Sequence, residues 1–316
     1  MFLLAAIASM LPVLAMAQSG APFLGRWDFT VTPSTGAPYA QWMELTDNGG
    51  RIEGRVQPKG GAWKPIVGAT AKGDKVVVVV SAAGGTEVRW DLTSAGPDRL
   101  TGVELHGDAS GPKLAGVRAP KLDRPFPKSW SKPKPLLNGK NLDGWVPVGN
   151  IANSKWVARD GELVNDNPEV PGQGNAGAAN LKSVEKFQDF KLHIEVNCPE
   201  HGNSGIYLRG RYEVQVGTEG GTQPTHEMGA IYSYYPPPAG TDTGLGKWTS
   251  FDITLVGRHV TVVRDGKMYH DNVEIPGPTG GALDSNEAEP GPFYLQGDHH
   301  GVIRYRNITV SVPAGR

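Results

Sequence analysis

An all-β protein is predicted by three features of this sequence. Gly (43) and Pro (26) break the 316 residues into short apolar runs, where a helical protein would keep longer ones. Those runs are bounded by turn signals such as Asp47-Asn48-Gly49-Gly50, Lys72-Gly73-Asp74 and Ala82-Ala83-Gly84-Gly85. Within Tyr212–Val216 the period of two sets Tyr212, Val214 and Val216 on one face and Glu213 and Gln215 on the other.

Four segments follow in order. Residues 1–17 are apolar and uncharged and close on Ala15-Met16-Ala17, which predicts a secretory signal peptide cleaved before Gln18, although the usual basic n-region is missing. The run is short for a spanning helix and Pro12 interrupts it. Cys198 is the single cysteine, so no internal disulfide is available. The expectation is an exported chain, periplasmic or secreted, of bacterial type. A formal net charge of −1 with scattered Lys and Arg argues against nucleic acid and against electrostatic attachment to a membrane.

Residues 18–120 read as sequential strands around 25–31, 40–46, 50–56, 75–81, 86–92 and 100–107. Short turns between them predict an antiparallel meander that curls into a small barrel. Trp27, Trp42, Trp63 and Trp90 could stack on a sugar or fill the core, the usual place for large aromatics in small β domains. No chemical constellation marks this block. Residues 121–134, flanked by Pro120 and Pro135 and containing Pro125, Pro127 and Pro133, predict a semi-rigid extended linker.

Residues 135–312 are strand-rich again, with long irregular stretches at 165–179 and 226–247. About a dozen strands with non-local pairing fit a two-sheet sandwich, and long loops over such a scaffold tend to carry function. The strands at 190–196 and 205–216 read as joined by a turn at Asn203-Ser204-Gly205. A carboxylate beside an amide, Glu213 and Gln215, is costly to bury without partners and suits a face that holds a polar ligand such as a sugar. An ordinary exposed strand face is the competing reading.

The second block resembles the 3-keto-disaccharide hydrolase family, a bacterial domain family. The resemblance rests on an ordered set of pieces. Leu137-Asn138-Gly139-Lys140-Asn141-Leu142-Asp143-Gly144-Trp145 stands at the entry, followed by Asn203-Ser204-Gly205-Ile206-Tyr207-Leu208-Arg209 and Tyr212-Glu213-Val214-Gln215. Gly229-Ala230-Ile231-Tyr232, Gly246-Lys247-Trp248 and Gly291-Pro292-Phe293-Tyr294-Leu295-Gln296-Gly297-Asp298-His299 complete it. It implies a concanavalin-A-like β-sandwich (jelly roll) and an activity on glycosides oxidised to a ketone at C3. The usual Asn-Gly hairpin signal appears here as Asp265-Gly266. Residues 18–120 lie outside the resemblance.

A conventional glycosidase needs two carboxyl groups. Here Glu213 is followed by Gln215 and Gly217, so the second is missing from the expected place on the strand. A 3-keto sugar needs less, because the ketone acidifies the C2 hydrogen: one base, one enolate stabiliser and one leaving-group acid suffice. Glu213 or His299 then serves as base, and Arg209 or Arg306 faces the enolate. Gln215, Tyr232 and Gln296 bind hydroxyls. A divalent cation on Glu213, Asp298 and His299 is an alternative Lewis acid. Arg306 could equally pair with Glu213 as a structural ion pair. Arg209, Glu213, Gln215, Gln296 and His299 are expected to converge on one pocket walled by 165–179 and 226–247. The competing class is a non-catalytic carbohydrate-binding protein that uses the same face.

Overall fold

The structure, a computed structural model, describes residues 21–81, 85–168, 177–219 and 223–315. The predicted signal segment 1–17 and most of the loop 165–179 fall outside these residues. Among the described residues there is no α-helix, only single 3₁₀ turns at Ala21–Phe23, Ile151–Asn153 and Pro224–His226, and none is long enough to cross a membrane.

The first nine strands are β1 (Gly25–Thr32), β2 (Tyr39–Asn48), β3 (Arg51–Gln57), β4 (Lys64–Pro65), β5 (Gly68–Lys72), β6 (Lys75–Ser81), β7 (Glu87–Ser94), β8 (Arg99–His106) and β9 (Ala109–Arg118). They form one antiparallel sheet in the order β4-β3-β2-β1-β9-β8-β7-β6-β5. The two ends of that order, β4 and β5, are separated in the chain only by Ile66 and Val67, and the Ile66 amide donates to Gly54 O at 3.0 Å. The sheet therefore rolls up on itself and leaves little open edge. Alternation fills the lumen with Phe29, Met43, Val78, Trp90 and Leu92. Trp27 joins this core, so two of the four tryptophans are core fillers.

The remaining strands are β10 (Lys134–Pro135), β11 (Trp145–Val148), β12 (Trp156–Arg159), β13 (Glu162–Asn167), β14 (Asn180–Phe187), β15 (Phe190–Asn197), β16 (Asn203–Leu208) and β17 (Tyr212–Gly217). They continue with β18 (Trp248–Val256), β19 (His259–Arg264), β20 (Lys267–Glu274), β21 (Gly291–Leu295) and β22 (Gly301–Ser311). A five-stranded sheet, β11-β14-β21-β16-β17, faces one ordered β12-β13-β22-β15-β18-β19-β20, to which β10 adds by pairing with β22. Ile206, Leu208, Tyr212, Val214 and Phe293 from the first interlock with Ile194, Phe251, Ile253, Ile303 and Tyr305 from the second. This is the expected sandwich. Asp265 (φ 48°) and Gly266 (φ 75°) make the β19–β20 turn, where positive φ at both residues suits Asp-Gly.

One local expectation is corrected. Asn203-Ser204-Gly205 is not a turn; it opens β16, and 198–202 makes the connection from β15. Gly205 is required for a different reason, given below.

Residues 119–133 do not hang free. Leu122 is buried, Arg124 reaches Asp189 at 3.3 Å, and the Ser131 amide donates to Val312 O at 2.8 Å. The proline-rich stretch is a strap laid along the sandwich, its exposed backbone suited to residues that lack an N–H.

The barrel packs on the sandwich through aromatic and charged contacts. Trp42 Nε1 donates to Pro278 O at 2.8 Å, and the Trp42 ring stacks on Tyr234 with centroids 6.4 Å apart. Arg26 pairs with the buried Glu287, whose other carboxylate oxygen accepts from Tyr212 Oη at 2.5 Å. The two halves also approach closely at two glycines: a Cβ on Gly280 would come within 2.3 Å of Gly61 O.

Candidate active site

The outer face of the five-stranded sheet carries the chemistry. β17 lies beside β16 with Glu213 opposite Tyr207 and Gln215 opposite Gly205. Tyr207 also faces Tyr294 on β21, and Tyr294 faces Lys182 on β14. Cross-strand pairing thus aligns Glu213, Tyr207, Tyr294 and Lys182 in one row. Val214 and Val216, on the opposite face, anchor that row in the core.

Glu213 is 3 % exposed. Gly205 makes the room: a Cβ there would lie 2.1 Å from Glu213 Oε1. The Asn-Ser-Gly segment ends in glycine because the carboxyl of the neighbouring strand occupies its side-chain space. The Glu213 amide donates to Thr279 Oγ1 at 3.0 Å. The Tyr207 hydroxyl lies 2.8 Å from both Glu213 Oε2 and Gly280 O.

Burial pushes the Glu213 carboxyl well above the ordinary range, and the charges of Glu219 and Asp298 push the same way, while the hydrogen bond from Tyr207 opposes them. The single Tyr207 phenol proton thus lies between two acceptors, the Glu213 carboxyl and the Gly280 carbonyl. Burial, reinforced by these carboxylates, raises the phenols of Tyr207, Tyr232 and Tyr294 as well, so all three keep their protons and remain donors.

The segment 227–235 lies along β17. The Gln215 amide donates to Ala230 O at 2.9 Å and the Tyr232 amide to Glu213 O at 3.1 Å. Tyr232 Oη donates to Glu219 Oε1 at 3.0 Å. His226 Nδ1 lies 2.8 Å from Glu219 Oε2, and its ring stacks on Tyr232 at 4.5 Å. Gln215 is buried, its Nε2 donating to Asn203 Oδ1 at 2.7 Å. Gln296 sits across β16, its amide donating to Gly205 O at 3.0 Å, and its side-chain oxygen is buried without a partner. Asp298 follows, and its carboxylate approaches His299 Nε2 at 3.8 Å.

Glu213, Gln215, Tyr232 and Gln296 are therefore gathered by two adjoining strands and the segment beside them, with Asp298 close enough to shift Glu213. The two anticipated arginines are elsewhere. Arg209 has a left-handed backbone (φ 53°), which breaks the strand alternation that would have placed it beside Glu213. Its guanidinium is buried against Tyr212 Oη (3.1 Å) and Gly257 O (2.8 Å). Arg306 belongs to the other sheet, where Glu195 stands opposite it. It bonds Glu195 Oε2 at 2.7 Å and lies 3.9 Å over the Trp248 ring, so its ion pair is with Glu195 and not Glu213. Neither arginine can face an enolate formed at Glu213.

The cation site expected of Glu213, Asp298 and His299 is not assembled either, since among the described residues no three His, Cys, Asp or Glu side chains converge as metal ligands. Glu213 is committed to Tyr207, and Asp298 and His299 stand at the half-buried rim.

Sequence reasoning missed Tyr207, Tyr294, Glu219 and His226. Tyr207 was within reach, because it alternates with Gly205 along one strand. Glu219 was not, because it lies beyond the end of β17 and only the folded segment 223–235 brings Tyr232 and His226 to it.

A family model described as 3-keto-alpha-glucoside-1,2-lyase-like domain matches residues 132–311. Among solved structures, the chain is similar to a protein of Parabacteroides distasonis ATCC 8503, provisionally named a glycosyl hydrolase. Identity is 27 %, over 60 % of this chain and 93 % of that one, with a TM-score of 0.47. A second structure from that organism, with the same provisional name, is 22 % identical over 58 % of this chain and 98 % of the other, with a TM-score of 0.40. No curated protein matches the chain. The matched segment is more than half of the sequence and contains both sheets of the sandwich, and the chain belongs to the carbohydrate-active family of 3-keto-alpha-glucoside-1,2-lyase-like domains.

Proposed function

We propose that this protein is an enzyme that cleaves 3-keto-glycosides by elimination followed by hydration. The observation that carries the reading is Glu213, a buried carboxyl seated over Gly205, 2.8 Å from the Tyr207 hydroxyl and pushed by burial well above the ordinary carboxyl range. In the first step a base removes the C2 proton and the C–H electrons form a C2–C3 double bond, leaving an enolate at O3. The enolate then collapses and expels the C1 substituent, whose oxygen takes a proton from Glu213. Water adds at C1 to complete a net hydrolysis.

Glu219, fixed by Tyr232 and His226, is the base in this scheme. Tyr294 supplies a donor to the developing O3 charge. Gln215 and the unpaired oxygen of Gln296 receive sugar hydroxyls. The apolar segment at residues 1–17 supports action outside the cytoplasm.

The test is incubation with a 3-keto-glucoside and with its unoxidised parent, following release of the aglycone and of the unsaturated 3-keto sugar. Only the oxidised substrate should react, because without the ketone the C2 hydrogen is too weakly acidic. Glu213→Gln should lower turnover by roughly 10²–10⁴-fold. Binding without turnover would leave the carbohydrate-binding alternative. A second reading rests on the carboxylates near Glu213: with Glu219 or Asp298 it could act as an ordinary hydrolase pair. Equal cleavage of both substrates would establish that reading and overturn the elimination.

A further inference from the structure

A cavity of about 460 Å³ opens at one end of the N-terminal barrel, and Glu213 is not among its lining residues. Its walls are apolar, formed by Val56, Val80, Val88 and Trp90. Besides the rim residues, the polar side chains of the lining are Gln41, Ser81 and Glu104. Gln41 is 5 % exposed and its Oε1 has no partner. Glu104 accepts from Trp90 Nε1 at 2.9 Å and meets His106 Nε2 at 2.9 Å. At the rim stand Tyr39, with Lys59 4.7 Å over its ring, and Lys64.

A buried, unpaired amide oxygen in an apolar barrel is costly unless something donates to it. Gln41 Oε1 and the Glu104 carboxylate present acceptors, the Trp90 indole N–H is already used, and the Gln41 amide nitrogen adds a donor beside its own unpaired oxygen. A ligand must therefore bring an O–H or N–H donor on an otherwise apolar body. A free sugar does not meet this demand well, because hydroxyls turned to the valine and tryptophan walls would find no partner there. A flat ring with one hydroxyl does. The two rim lysines suit a polar or anionic group at its far end.

We propose that the barrel mouth is a second small-molecule site that takes a phenolic ring compound. The ring lies between the valines and Trp90, the phenol donates to Gln41 Oε1, and an anionic substituent reaches Lys59 and Lys64. Barrel mouths are among the usual places for such sites, and the volume falls within their usual range.

The experiment is calorimetric titration of the full chain with 4-hydroxybenzoate, benzoate and glucose. 4-Hydroxybenzoate should bind at one site per chain, and benzoate, which lacks the donor, about 10-fold more weakly. Gln41→Leu removes the unpaired acceptor together with the amide N–H₂ and should reduce 4-hydroxybenzoate to the benzoate level. Val80→Phe fills the lumen without touching a polar group and should abolish binding of both. Glu213→Gln should leave binding unchanged, which separates this site from the glycoside site. No saturable heat with 4-hydroxybenzoate, tighter binding of glucose, or loss of binding in Glu213→Gln with retention in Gln41→Leu would each overturn the proposal.

Discussion

The indole N–H of Trp63 donates to the backbone carbonyl of Ser233 at 3.0 Å, and the Trp63 amide donates to the Ser233 hydroxyl at the same distance. Ser233 has a left-handed backbone (φ 68°) and follows Tyr232 directly. A barrel residue outside the matched segment thus fixes the residue next to a candidate substrate-binding tyrosine. Trp63→Phe keeps an aromatic ring but loses the indole bond. It should raise KM about fivefold, the equivalent of ~1 kcal/mol, with a smaller change in kcat. A drop in kcat alone would mean that the contact does not act through substrate binding.

Gly205→Ala tests the steric origin of the Glu213 position. Its Cβ would occupy the space of Glu213 Oε1, so the carboxyl must rotate away from Tyr207. Loss of turnover should approach that of Glu213→Gln, with far-ultraviolet circular dichroism still showing a folded β protein. Near wild-type turnover would show that the carboxyl need not sit over Gly205.

Tyr207→Phe separates the two roles open to Glu213. Its hydroxyl holds the Glu213 carboxyl lower than burial alone would, so its removal raises that group further. If Glu213 donates a proton, the alkaline limb of the pH–rate profile moves to higher pH. Movement of the acidic limb instead, with activity at neutral pH falling, would identify Glu213 as the base.

Asp28 is 1 % exposed where the barrel meets the sandwich. Burial raises its carboxyl to about 6, against the opposing charges of Arg26, Arg258 and Arg211. The unfolded chain therefore loses this proton first, and the fold loses stability as pH rises from about 4 to about 6. The slope should amount to about 3 kcal/mol across that window, at ~1.4 kcal/mol per pH unit. Asp28→Asn should flatten it. Denaturant midpoints measured at several pH values would show this, and parallel curves for the two proteins would count against it.

Arg306→Ala should change turnover on a 3-keto-glucoside by less than about threefold, because Arg306 is committed to Glu195 and Trp248 on the other sheet. It should cost only about 1 kcal/mol of stability, since the pair is partly exposed. A hundredfold loss of turnover would restore Arg306 to the site.

The strands were legible because alternation and turn residues are local signals, and the face shared by Glu213 and Gln215 follows from a period of two. The arginines were not legible. Arg209 stands just past the end of β16, where one left-handed residue redirects the side chain, and nothing in the linear order announces that φ. Arg306 could be set opposite Glu213 or Glu195 only by strand register, which is fixed by core packing between the sheets. The site also gained acidity that was not visible in the strand itself, because Glu219 and Asp298 come from two separate chain segments.

The close approach of Gly61 and Gly280 bears on how this protein can be recombined. The loop that carries Gly280 also supplies the carbonyl beneath Tyr207, so a side chain on either glycine would be felt at the Glu213 carboxyl. A chimera joining this barrel to the sandwich of a relative should work only if residues 58–63 and 276–281 are transplanted as a matched pair. The two halves are separate in sheet topology, yet for protein engineering their exchangeable unit includes a loop from each.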